Sequence, residues 1–268
     1  MLRCLYTAAS GMEANETQMD VISNNLANAS TTGFKKVTAG FEDLLSETIR
    51  QPTGPNTASG NTEGQPTGLQ VGLGTRVATT SLTLTQGDMI NTNNPFDLAI
   101  QGSGYFKVQQ ADGTFGYTRA GNFTVSSQGR LVTQSGLVVE PGITVPQQAT
   151  QVTINPDGTV LATLAGQAQP QQLGQIELAT FTNPGGLVAQ GGNLFTESSA
   201  SGQAITTKSG EQGTGTISQG FLEGSNVQAV NEMIDMIAAQ RSYEMNSKVI
   251  STADDMLSRL TSLSASDT

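Results

Sequence analysis

Apolar residues recur at steps of three and four along both ends of this chain, and at steps of two between them. Near the N terminus, Leu5, Ala8, Met12, Asn15, Met19, Ile22, Leu26 and Ala29 fall on one helical face, and Asn15 is its polar member. That row stops at Ser30-Thr31-Thr32-Gly33, where glycine can take the left-handed conformation that ends helices. A second helix is predicted to start at Ser225, with Gln228 completing a capping box. Its row runs Val227, Val230, Ile234, Ala238, Arg241, Met245, Val249, Thr252, Met256, Leu260 and Leu263, a spacing that keeps the face nearly straight. At about 1.5 Å per residue, roughly 38 helical residues span nearly 60 Å, long for a helix of a compact domain.

Between the helices the pattern changes. Phe41, Leu44, Leu45 and Ile49 suggest a short helical turn or an extended arm, and 51–68 is a Pro- and Gly-rich loop or linker by composition. From about 73 to 205 the signals are β. Alternation appears in Thr80/Leu82/Leu84 and Phe96/Leu98/Ile100, and Ile176/Leu178 opposite Glu177/Ala179 suggests a strand with one wet face. Turn chemistry follows at Asp112-Gly113, Gln128-Gly129, Asn155-Pro156-Asp157-Gly158 and Asn183-Pro184-Gly185-Gly186. The expected fold class is α+β, with the terminal helices paired as a coiled-coil-like stalk, a central mainly antiparallel β domain and an extended connecting arm. The corresponding domains are 1–34 with 225–268 (helical), 35–72 with 206–224 (arm, with an insertion at 46–70) and 73–205 (β-rich).

A buried apolar side chain contributes roughly 1.5–3 kcal/mol, while ordering the backbone costs about 1–2 kcal/mol per residue. Two paired helices still leave one side of each row wet. Frayed ends in a dilute monomer and burial by other copies are therefore expected. The predicted interface consists of Leu5, Met12, Met19, Ile22, Leu26, Val227, Val230, Ile234, Ala238, Met245, Val249, Met256 and Leu260.

Charge narrows the partners. The chain carries −10 formally, and its 37–224 segment holds 13 acids against six bases. Nucleic-acid binding needs concentrated Lys and Arg, so none is expected. The Lys35-Lys36 pair reads as a solvated helix end. With no histidine and a single cysteine, neither a Ser-His-Asp or Cys-His pair nor an internal disulfide can form. Cys4 reads as a buried packing thiol, and no metal or cofactor is expected. Asp88, Asp97 and Asp112 sit in turn contexts and read as turn formers rather than a catalytic pair. Tyr117-Thr118-Arg119 could offer a ring and a cation to a ligand, with strand packing as the plainer reading. No apolar stretch is long enough for a membrane span, and no cleavable signal is evident.

Several segments carry a resemblance. Ser23-Asn24-Asn25-Leu26-Ala27-Asn28 with Thr32-Gly33-Phe34-Lys35 resembles the N-terminal signature of bacterial flagellar rod and hook proteins. Ser225-Asn226-Val227, Glu232-Met233, Met236-Ile237, Gln240-Arg241-Ser242-Tyr243-Glu244 and Asn246-Ser247-Lys248 resemble its C-terminal signature. The segments 99–106 and Tyr117-Thr118-Arg119-Ala120-Gly121-Asn122-Phe123 are similar to its central β motifs. Length and the stretch from Thr48-Ile49-Arg50-Gln51-Pro52 to Gly68-Leu69-Gln70 resemble the distal-rod type, whose insertion stiffens the rod; Ile49, Pro52, Pro55, Pro66 and Leu69 are its candidate residues here.

The resemblance implies a structural subunit rather than an enzyme. Such a subunit leaves the cell through the flagellar type III apparatus without a cleaved signal. It then assembles in the periplasm into a helical tube that transmits torque and encloses the export channel. The helices would form the inner layer and the β domain the outer wall. Implied partners are further copies, proximal rod proteins, the hook protein or its junction, and the periplasmic and outer-membrane rings. A proximal rod or hook-type subunit remains an alternative, as does, in another class, a secreted carbohydrate-binding β protein. The latter needs an aromatic-lined groove from a chain with four Tyr, nine Phe and no Trp.

Overall fold

The computed structural model describes residues 2–51, 67–165, 169–211 and 213–266. The fold is α+β, with a helix at each end and antiparallel β structure between them. Helix α1 covers Leu2–Ala27 and helix α2 covers Ala229–Ser266, 38 residues. The chain forms two compact units: Met1–Leu26, Val37–Ser81 and Ala229–Thr268 make one, and Ala27–Lys36 with Leu82–Gln228 the other.

The helix ends differ from expectation for local reasons. Helix α1 stops at Ala27, six residues before Gly33, and a turn closed by Thr31 N–H to the Asn28 carbonyl follows. Gly33 does have positive φ (70°), yet its requirement comes from elsewhere. A Cβ there would lie 2.6 Å from the Ala120 nitrogen, so the residue permits close passage of two backbones. Helix α2 starts four residues after Ser225, whose hydroxyl accepts from Val227 N–H. Asn226 is held outside the helix because its side chain bridges Lys36 N–H to the Thr83 and Thr85 carbonyls.

In the helical unit, Phe41 and Ile49 fall on strands rather than a helical turn. Val37–Asp43 pairs with Thr75–Leu82, and Glu47–Arg50 pairs antiparallel with Leu69–Val71. Gly74 lets that region approach α1, since a Cβ would meet the Ser10 side chain, whose oxygen accepts from Thr75 N–H.

Within the β-rich unit, Tyr105–Gln109 is the hub strand. It pairs with Phe115–Thr118 and Val138–Val139, and Glu177–Thr180 joins it as well. Ala149–Ile154, Thr159–Leu164 and Gln171–Gln175 form a separate three-stranded sheet. The turns expected at Gly113, Gly129 and Gly158 have positive φ, as those tight turns require. Leu98, Ala99 and Ile100 are all buried, so strand Leu98–Gln101 has no wet face over that stretch. Ala179 is likewise buried, against a second cluster of Tyr105, Tyr117, Phe181 and Phe195, because these rings cover the face expected to be wet. The principal core joins Leu98, Ile100, Phe106, Phe123, Ile176, Leu178 and Ile217.

Gly121 explains one part of the Tyr117–Phe123 motif. Its carbonyl accepts from Leu98 N–H, and a Cβ on it would sit 1.6 Å from the Leu98 oxygen. Gly121→Ala is expected to lower stability by about 3 kcal/mol through overpacking. Gly72→Ala, with open space around the added methyl, is expected to change it by less than about 0.5 kcal/mol. Urea unfolding midpoints of the two variants provide the check.

Candidate assembly surface

Helix α2 presents two unlike faces. Its buried positions are Glu232, Ala239 and Ala253, joined by half-buried Met236, Ser242, Asn246, Ile250 and Leu257. This spacing follows one helical face, composed mainly of small or polar residues. Contacts with α1 use the same vocabulary. Asn15 Nδ2 donates to Ser242 Oγ at 3.2 Å, Asn25 Nδ2 to Glu232 Oε2 at 3.3 Å, and a Cβ on Gly11 would meet Asn246 at 2.8 Å.

The predicted apolar row lies on another face. Val230 is 71% exposed, Ile234 59% and Met245 63%, and Ala238, Val249, Met256 and Leu260 are exposed too. Met233 and Ile237 widen the band. Val227, ahead of the helix, is buried. The N-terminal row behaves differently: Ile22 is buried, and Leu5, Met12, Met19 and Leu26 are half-buried. A groove of about 530 Å³ runs beside the exposed row, lined by Cys4, Met245, Lys248, Val249, Thr252, Ala253 and Met256. Cys4 is exposed at this groove, not buried as a packing thiol: it lies one turn before buried Ala8, near the start of α1, where the groove against α2 stays open.

The signature residues divide in the same way. Asn25 is buried, and its amide receives Val37 N–H at 2.9 Å and donates to the Val37 carbonyl at 2.8 Å, which fixes the chain's exit from the first helix. Gly33 is buried and Phe34 and Asn28 are half-buried, whereas Asn24, Ala27, Gln240, Arg241, Tyr243 and Glu244 are exposed. Of the candidate stiffening residues, Ile49 and Leu69 are exposed on the hairpin strands. Pro52, Pro55 and Pro66 lie outside the described residues. Arg3 joins this hairpin to α1 through a surface ion pair with Glu47.

Sequence reasoning missed a buried ionic clamp in the β-rich unit. Glu223 accepts Lys35 Nζ at 2.6 Å on one oxygen and Arg119 Nε at 2.5 Å on the other. Lys35 is therefore not a solvated helix end; it is 3% exposed, and its ammonium also donates to the Thr85 carbonyl. The Arg119 guanidinium further donates to the carbonyls of Ile100, Gly102 and Gly104. The ligand reading of Tyr117-Thr118-Arg119 thus gives way to structure for Tyr117, which packs edge-on to Phe181. Lys35 and Glu223 stand 188 residues apart, beyond the reach of any local pattern.

Asp112 and Asp97 act as turn carboxylates. The Thr114 hydroxyl and N–H hold the Asp112 carboxyl below its ordinary value, and Asp97 accepts from Thr92 and Asn94. Among the described residues, no cluster of three or more His, Cys, Asp or Glu could hold a metal, and no helix is long and apolar enough to cross a membrane.

Burial pushes the Lys35 pKa below its ordinary 10.5, against the opposing pull of Glu223. A lysine whose folded pKa lies below its unfolded one binds its proton more weakly when folded. Its contribution therefore favours folding as pH rises through that alkaline window and is flat at lower pH. Neutralising Glu223 would instead strand two buried cations at every pH below that window. Glu223→Gln is expected to cost about 3–5 kcal/mol in chemical denaturation at neutral pH. A loss below about 1 kcal/mol would show that the clamp is dispensable.

Comparison with known proteins bears on this surface over its whole length. Residues 5–35 match the family described as flagella basal body rod protein, 99–162 the flagellar hook protein FlgE/F/G D1 domain, and 218–263 the flagellar basal body rod FlgEFG protein C-terminal family. The flagellar basal-body rod protein FlgG of Caulobacter vibrioides is 50% identical over 96% of this chain and 97% of its own. Its counterpart in Borreliella burgdorferi is 47% identical over 96% and 97%, and that of Bacillus subtilis 41% over 98% and 99%. Each matched segment holds part of the geometry above: Asn25 and Lys35 in the first, Arg119 in the second, and Glu223 with the exposed row in the third. The chain belongs to the flagellar basal-body rod protein family.

Proposed function

We propose that this chain is a structural subunit of the distal flagellar rod, a rigid helical tube that transmits torque and encloses an export channel. The observation that carries the reading is the exposed apolar band of α2, from Val230 to Leu260. At roughly 1.5–3 kcal/mol per buried side chain, the band supplies a strong drive to associate. It repeats along a helix rather than closing on itself, which suits contacts between successive copies in an open assembly. The two helices act together as a coiled-coil-like stalk: the small and polar residues between α1 and α2 set their register, and the outer band meets neighbouring copies.

The arm and insertion complete the assignment. The hairpin of Glu47–Arg50 and Leu69–Val71 is two-stranded and carries exposed Ile49 and Leu69, with exposed Leu45 just ahead of its first strand. A lone two-stranded hairpin is marginal in water, so contacts with adjacent subunits would both order it and stiffen the tube. Copies of this chain are the main partners. Proximal rod proteins, the hook or its junction, and the surrounding rings are the expected neighbours of such a tube in the periplasm, reached by flagellar type III export.

Two experiments test this reading. Ile234→Asp or Met245→Asp would bury an unpaired carboxylate in the assembly and is expected to raise the critical concentration for sedimentable tubes at least about tenfold. Variants that assemble at the parent concentration would remove the band from the interface. Shortening 46–70 is expected to leave tubes that electron microscopy shows as bent or bendable; straight, rigid tubes would count against the stiffening role.

A further inference from the structure

A cleft of about 340 Å³ in the β-rich unit is lined in part by Lys35, Gln86, Ser103, Tyr105, Arg119 and Phe181. Two cations and one carboxylate meet at its wall, leaving a formal surplus of one positive charge in a buried setting. There is also a surplus of donors. A guanidinium has five N–H groups and an ammonium three. Four of the former and two of the latter are engaged by Glu223 and backbone carbonyls. The Tyr105 residue is 7% exposed, and its hydroxyl makes no hydrogen bond among the described residues.

We propose that this cleft binds a carboxylate, which accepts from Lys35, Arg119 and Tyr105 and cancels the surplus charge. Water could satisfy the donors but not the charge, and an uncompensated buried charge is costly. Glu223 cannot serve alone, because both its oxygens are already shared, one between Lys35 and Gly87 N–H and the other with Arg119. Burial raises the Tyr105 pKa, so its hydroxyl remains a donor at neutral pH. The carboxylate has two possible sources: a free small acid, or an Asp or Glu side chain of a second copy of this acidic chain.

The test titrates the dilute full chain with sodium acetate against sodium chloride of equal ionic strength. The unfolding midpoint and the arginine Nε–H resonances report the result. Saturable, acetate-specific shifts are expected in the parent chain. Tyr105→Phe keeps the ring and removes one donor, and is expected to weaken the apparent Kd about tenfold. Lys35→Met, which leaves an even Arg119–Glu223 pair, is expected to abolish the response. Identical behaviour in acetate and chloride, or an unchanged Kd in Tyr105→Phe, would overturn the proposal. The same titration on sedimented assemblies separates the sources: a neighbour's side chain makes the acetate response vanish on assembly, whereas a free acid leaves it intact. Failure to assemble would bear on the proposed function alone, since the dilute titration already decides the cleft.

Discussion

Water against Val230, Ile234, Met245 and Val249 is the constraint around which the helical unit is organised. A long helix normally turns its most apolar face toward its own chain. Here α2 turns inward a face built mainly of Ala, Ser, Asn and Glu, and hydrogen bonds such as Asn15–Ser242 give that contact its specificity. The apolar band is left over. An isolated chain gains little from it, and the proposed assembly would gain the burial of side chain after side chain along nearly the full helix. On the proposed function, folding and assembly would draw on separate faces of one helix, so a subunit would hold its own contacts while its apolar band is kept for others.

The β-rich unit solves a different problem, that of holding distant chain segments in one place. Lys35 follows the first helix, Arg119 lies in the central β motif, and Glu223 ends the strand Phe221–Glu223 just before the second helix. A buried ion triad contributes less net stability than an apolar cluster of the same size, because desolvation consumes much of the attraction. Its value lies in the penalty for mispairing. Gly33 and Gly121 work in the same direction, since each permits a backbone approach that any side chain would block.

Periodicity alone located both helices and the apolar band, because a step of three or four residues is a local property that each side chain carries. Turn residues located the hairpins at Gly113 and Gly158 for the same reason. Which face of α2 would be buried was not legible, since that depends on α1, over two hundred residues away in sequence. The clamp was invisible on the same grounds: Lys35 beside Lys36 looks like a solvated pair until Glu223 is brought to it. Cys4 and Ala179 went astray because solvent exposure is decided by neighbours from other parts of the chain.

Oxidative footprinting of the methionines tests the division of α2 most directly. Hydroxyl-radical labelling of dilute and concentrated protein would be compared at Met233, Met245 and Met256, with half-buried Met89 and inward-facing Met236 as internal references. The account predicts that the three exposed α2 methionines are readily oxidised in dilute chain and become protected on assembly, while the references change little. Equal protection of Met245 and Met256 at both concentrations would contradict it.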